Sequence, residues 1–459
     1  PGGVAIDGFA YRFKSDAGLS NAVPIHFAAA APTIEAESAA ADGPRNDAPE
    51  SAQKLTLPAD VVGRFYPRSD RDYYAVEAKK GDVYYVEVTS ERFGAPTAPA
   101  LVVQRVNGDK VSDVLESPDE EPAISPVPFR IATRDPTLKW DVKEDGQYRI
   151  LVRDRFGSAG ENASAVYRLT VRKPEPTFAV LAAPLSGAPT DSAVWSPTLR
   201  RGGFAPVRVA VVRKDGHSGD VTVTAEGLPN GVTAEPVTVP AEATSGLMVF
   251  ACAEDAKPAA ATVRLVAKGK VGDADVEREA VAVAVVWGTA GDGKNADPTK
   301  NMDPVVGRVA RGLSVGVVGD DVEPISITAA DPKKVYEAPA NGKVSIPLKV
   351  KRSTEQKAAL KLKVVGVDGL KAGKDVNLEP KADAVTLDLD LAGAKLAPGT
   401  YTICVTSPAQ VKYTRPGGDD KAADEKDKGK AKKGDGKDAA AVVYSAPITI
   451  KVTAAEKKK

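Results

Sequence analysis

Two cysteines, two histidines, two methionines and 5% aromatic residues in a chain of 459 remove several chemistries at the outset. Cys252 and Cys404 are too few for a disulfide framework, and they fall in segments that read as separate domains, so no domain holds its own bridge. Neither thiol has a lysine, arginine or histidine immediately beside it, so each reads as a packed, inert cysteine. His26 and His217 have no cysteine or second histidine near them in sequence, which excludes a nitrogen–sulfur zinc site. The chain contains no G-x-S-x-G, no H-E-x-x-H and no G-x-x-x-x-G-K-[ST], so nucleophile-elbow, zinc-protease and P-loop chemistry lack their motifs. Net charge is also missing: 62 basic and 62 acidic side chains cancel, leaving no long-range field for nucleic acid or an anionic membrane. No run of about 18 apolar residues occurs, so the chain as given has no membrane span. Pro1 opens a stretch with no basic leader and no apolar h-region, and any signal peptide is expected upstream of it.

What is abundant points one way. Valine, alanine and threonine dominate together with 40 glycines and 35 prolines, and apolar runs are short, which predicts an all-β, turn-rich protein without long helices. In "RSDRDYYAVEAKKGDVYYVEV", Tyr74, Val76 and Ala78 alternate with other residues, and Tyr84, Val86 and Val88 do so again after a lysine-glycine turn. That period of two predicts a β-hairpin with one buried face, with Asp70 and Asp72 at the strand mouth, unburied, capping amides or joining a cation site. "DGQYRILVRD" and "AVYRLTVRK" read as a closing strand pair, and Trp140 in "LKWDV" as core.

Composition divides the chain into tandem antiparallel β-sandwiches arranged like beads on a string. Residues 1–34 read as the remnant strands of a preceding β module, 35–174 as a sandwich with an acidic N-terminal linker, 175–318 as a second sandwich with a loop insertion at 288–304, and 319–459 as a third. The third carries a charged loop, 415–440, whose mixed acids and bases with no large apolar residue predict disorder. The last two sandwiches look like repeats of one another. Arg213 aligns with Arg352, Val221 and Val223 with Leu360 and Leu362, and Gly227 with Gly369, a spacing of about 140 residues that means tandem domains rather than a solenoid.

On Gly63, Asp70, Asp72, Tyr73, Gly81, Gly146, Tyr148 and Tyr167–Val171, the 35–174 segment resembles the bacterial pre-peptidase C-terminal domain, a β-sandwich module of secreted peptidases and large exported proteins. The two later sandwiches resemble immunoglobulin-like domains, most visibly at "GLPNGV", Gly227 to Val232. Some members of the first family hold calcium through an acidic linker and strand aspartates. The resemblance therefore implies a calcium site at Glu35, Glu37, Asn46, Asp47, Asp70 and Asp72. Two departures stand against that ligand set: Ser38 to Arg45 separate its linker halves, and Thr97 and Ala98 stand where the family often has an aspartate. The residues by themselves leave two readings open, calcium ligands or solvated linker acids with a turn cap.

No catalytic residue and no organic cofactor is expected, although paired acids of the glycosidase kind need no motif and remain a reading to test. Sequence and resemblance together predict a non-catalytic structural or adhesive protein, secreted, periplasmic or on the cell surface. Its expected partner is a protein or polysaccharide of the cell envelope or matrix, not nucleic acid. The alternative is an accessory C-terminal region of a secreted peptidase or hydrolase whose catalytic domain lies upstream.

Overall fold

The computed structural model describes residues 8–20, 23–28, 31–37, 43, 45–118, 133–156, 165–185, 196–287, 306–309, 312–413 and 437–455. The loop insertion at 288–304 lies outside these residues, and so does nearly all of the charged loop at 415–440. The described chain is built of β-strands with three short 3-10 turns at Pro49–Ser51, Glu91–Phe93 and Ala392–Ala394. It is a tandem β-sandwich protein, as the valine-rich alternation requires.

Two compact units are present. The first takes in the described residues up to Thr177 together with Arg213–His217; the second takes in the described remainder from Phe178 onward. At the start of the first unit Gly8–Tyr11 pairs antiparallel with Val23–His26. The sandwich that follows has two five-stranded sheets. One runs Lys110–Glu116, Pro99–Asn107, Gly146–Asp154, Arg71–Ala78, Gln53–Lys54, and the other Thr137–Asp141, Val83–Thr89, Val166–Arg172, Ala59–Arg64, Thr33–Ile34. Tyr74, Val76, Leu101, Trp140, Ile150, Tyr167 and Leu169 fill the space between them.

Three expectations change here. Arg71–Ala78 and Val83–Thr89 do not form a hairpin; they lie in opposite sheets, and the turn between them carries the chain across the sandwich. Gly81 makes that crossing with φ +91, its N–H donating to Val142 O while Val142 N–H donates to Asp82 O. Gly146–Asp154 and Val166–Arg172 are likewise not a pair: the first lies between Pro99–Asn107 and Arg71–Ala78, the second between Val83–Thr89 and Ala59–Arg64. Alternation shows which face of a strand is buried, and that face is the same whether the next strand joins its own sheet or the facing one. Third, Thr33–Ile34, grouped by sequence with the preceding strands, pairs in parallel with Val61–Val62 as the edge of a sandwich sheet.

The second unit contains two further sandwiches with separate cores. One core gathers Phe178, Val207, Val209, Met248, Phe250, Leu265 and their neighbours, the other Ile325, Ile346, Leu387, Ile403, Ile450 and theirs. The sequence repeat has a structural counterpart. Phe204–Lys214 pairs with Ser245–Cys252 as Lys343–Arg352 pairs with Ala384–Asp390, and Val221–Glu226 lies between Val237–Val239 and Ala259–Val271 as Leu360–Val365 lies between Val376–Leu378 and Gly399–Tyr413. Among the described residues no helix is long and apolar enough to cross a membrane.

Candidate functional site: a buried carboxylate cluster

The same alternation that buries Tyr74, Val76 and Ala78 continues backward to Asp72, which therefore points into the sandwich rather than away from it. Asp72 is 0% exposed. The expectation that both aspartates sit unburied at the strand mouth is thus corrected, since Asp70 is buried as well. Asp70 does act as a cap, its Oδ2 accepting from Tyr66 N–H at 3.1 Å and its Oδ1 from Arg71 N–H at 2.8 Å. Asp72 caps nothing: neither of its carboxylate oxygens has a hydrogen-bond partner.

The linker acids reach the same region because the chain before the sandwich is pinned to it. Glu35 N–H donates to Val62 O, and Ala36 N–H donates to Gln53 Oε1 at 2.7 Å. Glu35 is buried, its Oε1 accepting from Arg64 N–H at 2.7 Å and its Oε2 from the Tyr167 hydroxyl at 3.2 Å. Tyr74 and Tyr167 hydroxyls stand 2.6 Å apart behind it. Gly63, which faces Tyr167 across the ladder, makes room for this arrangement, because a Cβ there would sit inside contact distance of Glu35 Oε2 and of the Tyr167 ring and hydroxyl. On the other side of the linker, Asn46 O accepts from Tyr73 N–H at 2.9 Å. The Asn46 side chain is 0% exposed, and neither its oxygen nor its nitrogen has a partner. Half-buried Glu37 and Asp47 each add one buried oxygen without a partner. Most of Ser38 to Arg45, the insertion between the two linker halves, lies outside the described residues. Thr97 and Ala98 do not join the cluster: the Thr97 hydroxyl pairs with that of Ser90, and Ala98 N–H donates to Asp154 Oδ1.

The electrostatics agree with the geometry. Burial foremost, and then the charges of Asp70, Glu35 and Glu37, raise the Asp72 pKa to about 9; the Tyr167 hydroxyl pulls the other way, although no hydrogen bond of ordinary geometry reaches either Asp72 oxygen. Glu35 is lifted to about 7, burial outweighing the lowering hydrogen bonds from Arg64 N–H and Tyr167, with Asp70 and Glu37 acting in the same direction as burial. Glu37 rises to about 7 through burial and then Asp47, and Asp70 to about 6 through burial and then, among the neighbouring charges, Asp47. A carboxylate pushed up in this way is stabilised folded only when protonated, so the cluster by itself opposes folding at neutral pH.

Among the described residues no three His, Cys, Asp or Glu side chains are already drawn together as a metal cage. The acids nonetheless raise one another's pKa, and a buried polar group without a partner costs about 1–3 kcal/mol, more if charged. A hard cation that accepts carboxylate and amide oxygens fits this donor set. Sequence reasoning named the six side chains but missed Tyr74, Tyr167 and Gly63 as the wall behind them. The signal was present in Tyr167 falling on the inward face of its strand, yet only the cross-strand register sets it opposite Gly63.

Other acids in this unit are committed elsewhere. Asp135 accepts from the N–H groups of Ser90, Glu91 and Arg92 and from Arg92 Nε, fastening the Glu91–Phe93 turn. Asp60 pairs with Arg168, whose guanidinium also donates to Phe27 O at 2.6 Å. Arg172 pairs with Asp215 inside the first unit.

No family profile and no curated protein matches the chain. Similar solved structures exist. The pre-peptidase C-terminal domain of a collagenase from Bacillus anthracis matches 28% of this chain and 100% of its own, at 15% identity and TM-score 0.20. Fibronectin(III)-like modules of Clostridium thermocellum CbhA match 60% of this chain and 94% of theirs, at 12% identity and TM-score 0.14. Escherichia coli alpha-2-macroglobulin activated by porcine elastase matches 84% of this chain and 33% of its own, at 11% identity and TM-score 0.17.

Proposed function

We propose that this is a non-catalytic, extracytoplasmic structural protein whose sandwiches hold a distance and offer adhesive surfaces, and whose first sandwich is stiffened by calcium. The observation that carries the cation reading is Asp72: a carboxylate with no exposure and no partner, beside an equally buried and unpartnered Asn46. Glu35, Glu37, Asn46, Asp47, Asp70 and Asp72 would hold the ion. When bound, calcium supplies positive charge that compensates the buried carboxylates. The chain's own part is to bring linker and strand together: Glu35 anchors the linker to the sheet edge through Arg64 N–H and Tyr167, and Asn46 fastens its far end through Tyr73 N–H. Oxygen sites of this type reach useful occupancy at the calcium levels found outside cells, where affinities of extracellular modules are about 10⁻⁴–10⁻³ M.

The non-catalytic part of the reading is supported by how the acids are used. Among the described residues of the first unit, Asp135 caps a turn and Asp60 and Asp215 pair with arginine, and His217 lies in a turn away from any nucleophile motif. The test is a calorimetric melt of the chain in chelator and in millimolar calcium. Calcium is expected to raise the melting of the first unit, by about 2.7 kcal/mol at one hundred times the dissociation constant. Superimposable melts reject the cation. Turnover of any glycan in a polysaccharide panel that is lost on a single Asp or Glu substitution rejects the non-catalytic reading.

A further inference from the structure

The two sandwiches of the second unit present an apolar surface that neither of their own cores explains. On Ser245–Cys252, Met248, Phe250 and Cys252 face inward and belong to that sandwich's core, so by the period of two Leu247 and Val249 face outward. On Gly399–Tyr413, Ile403 and Val405 face inward and Cys404 outward. Outward residues of a surface strand belong in water, yet Leu247 is 0%, Val249 4% and Cys404 0% exposed. These three pack on one another, with Leu185, Phe204, Val365 and Tyr444 around them.

The surroundings of this cluster are shaped for it. Gly366, at φ +116, leaves space that a Cβ would take from Leu247 Cδ2 at 2.9 Å and Thr402 O at 2.7 Å. The Tyr444 hydroxyl donates to Leu185 O at 3.2 Å, and Arg208 Nη1 donates to both Asp368 oxygens at 3.0 and 3.3 Å. The connection at 323–324 is held from both sides: Glu323 N–H donates to Arg201 O, while Ser353 N–H donates to Pro324 O and its hydroxyl to Glu323 O at 2.7 Å. Ala243 packs against both cores.

We propose that these two sandwiches are coupled into one rigid strut by a built apolar joint, Leu247 and Val249 against Cys404 and Val365, rimmed by the Arg208–Asp368 pair. Two sandwiches joined only by a linker hinge freely and hold no fixed spacing, because interdomain motion is the default unless the interface is apolar and well packed. A closed joint transmits load through both sandwiches and fixes the distance between their far ends. It also makes Cys404 a reporter: its thiol meets solvent when the joint opens, whereas Cys252, inside its own sandwich, meets solvent only when that sandwich unfolds.

The test is the rate at which an aromatic disulfide reagent labels each thiol in the native full chain, resolved by peptide mass mapping. It is run in chelator so that the outcome does not depend on the cation proposed above. In the wild-type chain Cys404 is expected to label at least about a hundredfold more slowly than in denaturant. Leu247→Ala with Val249→Ala is expected to speed Cys404 at least about tenfold and leave Cys252 unchanged. If that variant loses its β-sheet circular dichroism, Arg208→Ala with Asp368→Ala takes its place, with an expected rise at Cys404 of about two- to fivefold. Cys404 labelling like an unfolded thiol in the wild type overturns the proposal. So does an unchanged Cys404 rate in the folded variant, and so does a parallel rise at Cys252, which makes the opening global unfolding rather than a joint.

Discussion

Substituting Gly63→Ala tests the architecture of the carboxylate cluster through an atom that belongs to none of its proposed ligands. The added methyl falls inside contact distance of Glu35 Oε2 and of Tyr167 Cζ and Oη. Tyr167 is fully buried, its ring against Phe65 at 4.7 Å between centroids and its hydroxyl on Tyr74, so it has no room to yield. Glu35 must move instead. Overpacking of this kind costs about 1–3 kcal/mol. Displacing Glu35 forfeits its bonds from Arg64 N–H and Tyr167, and one buried hydrogen bond left unmade costs about 1–3 kcal/mol more. A loss of about 3 kcal/mol, taken at roughly 3 °C per kcal/mol for a sandwich of this size, lowers the melting of the first unit by about 10 °C. Differential scanning calorimetry reads that shift, and the same samples titrated with calcium should show a weakened rise, because the linker anchor has moved. Gly316→Ala is the control: its added Cβ meets nothing within 4 Å, and the variant should melt within about 1 kcal/mol of the parent. If Gly63→Ala melts within about 2 °C of the parent and keeps the full calcium response, Glu35 and Tyr167 are not seated as described.

Asp72→Asn removes a carboxyl that must take up a proton to fold at pH 7, so in chelator the first unit should gain stability, by up to about 4 kcal/mol, while the calcium-induced rise in melting disappears. Glu323 is buried at the connection inside the second unit, and desolvation lifts its pKa from 4.5 to about 7, with Arg200 opposing and Asp321 reinforcing the shift. Its folded pKa lies above its unfolded one, so its contribution is full below about pH 4.5 and is lost as pH rises toward 7; about 3 kcal/mol should vanish across that window, measured as the urea midpoint of the second unit. Glu323→Gln should flatten this dependence, and an unchanged slope would refute the assignment. Arg168→Ala removes the guanidinium that donates to Asp60 and to Phe27 O, and a loss of about 1–3 kcal/mol in the first unit is the expected result by denaturant titration.

The sequence alone determined the all-β class and the inward faces of individual strands, because each follows from local chemistry, β-branched composition and a period of two, whereas the six side chains of the cluster are named by what the family resemblance implies. Cys404 is the clearest case, since alternation turned it away from Ile403 and Val405 and the structure keeps it out of their core. Only the tertiary structure decided what those faces meet. Arg71–Ala78 and Val83–Thr89 look like a hairpin from the pattern but lie in opposite sheets, because a buried face is equally satisfied by either arrangement. Asp72 looked like a solvated cap until the sandwich closed over it, and the apolar run Leu247–Phe250 does not by itself say what covers the face of Leu247 and Val249 turned away from the core. Alternation is a property of one strand. Burial belongs to the pair of surfaces that meet, and the second surface is supplied by residues far away in the chain.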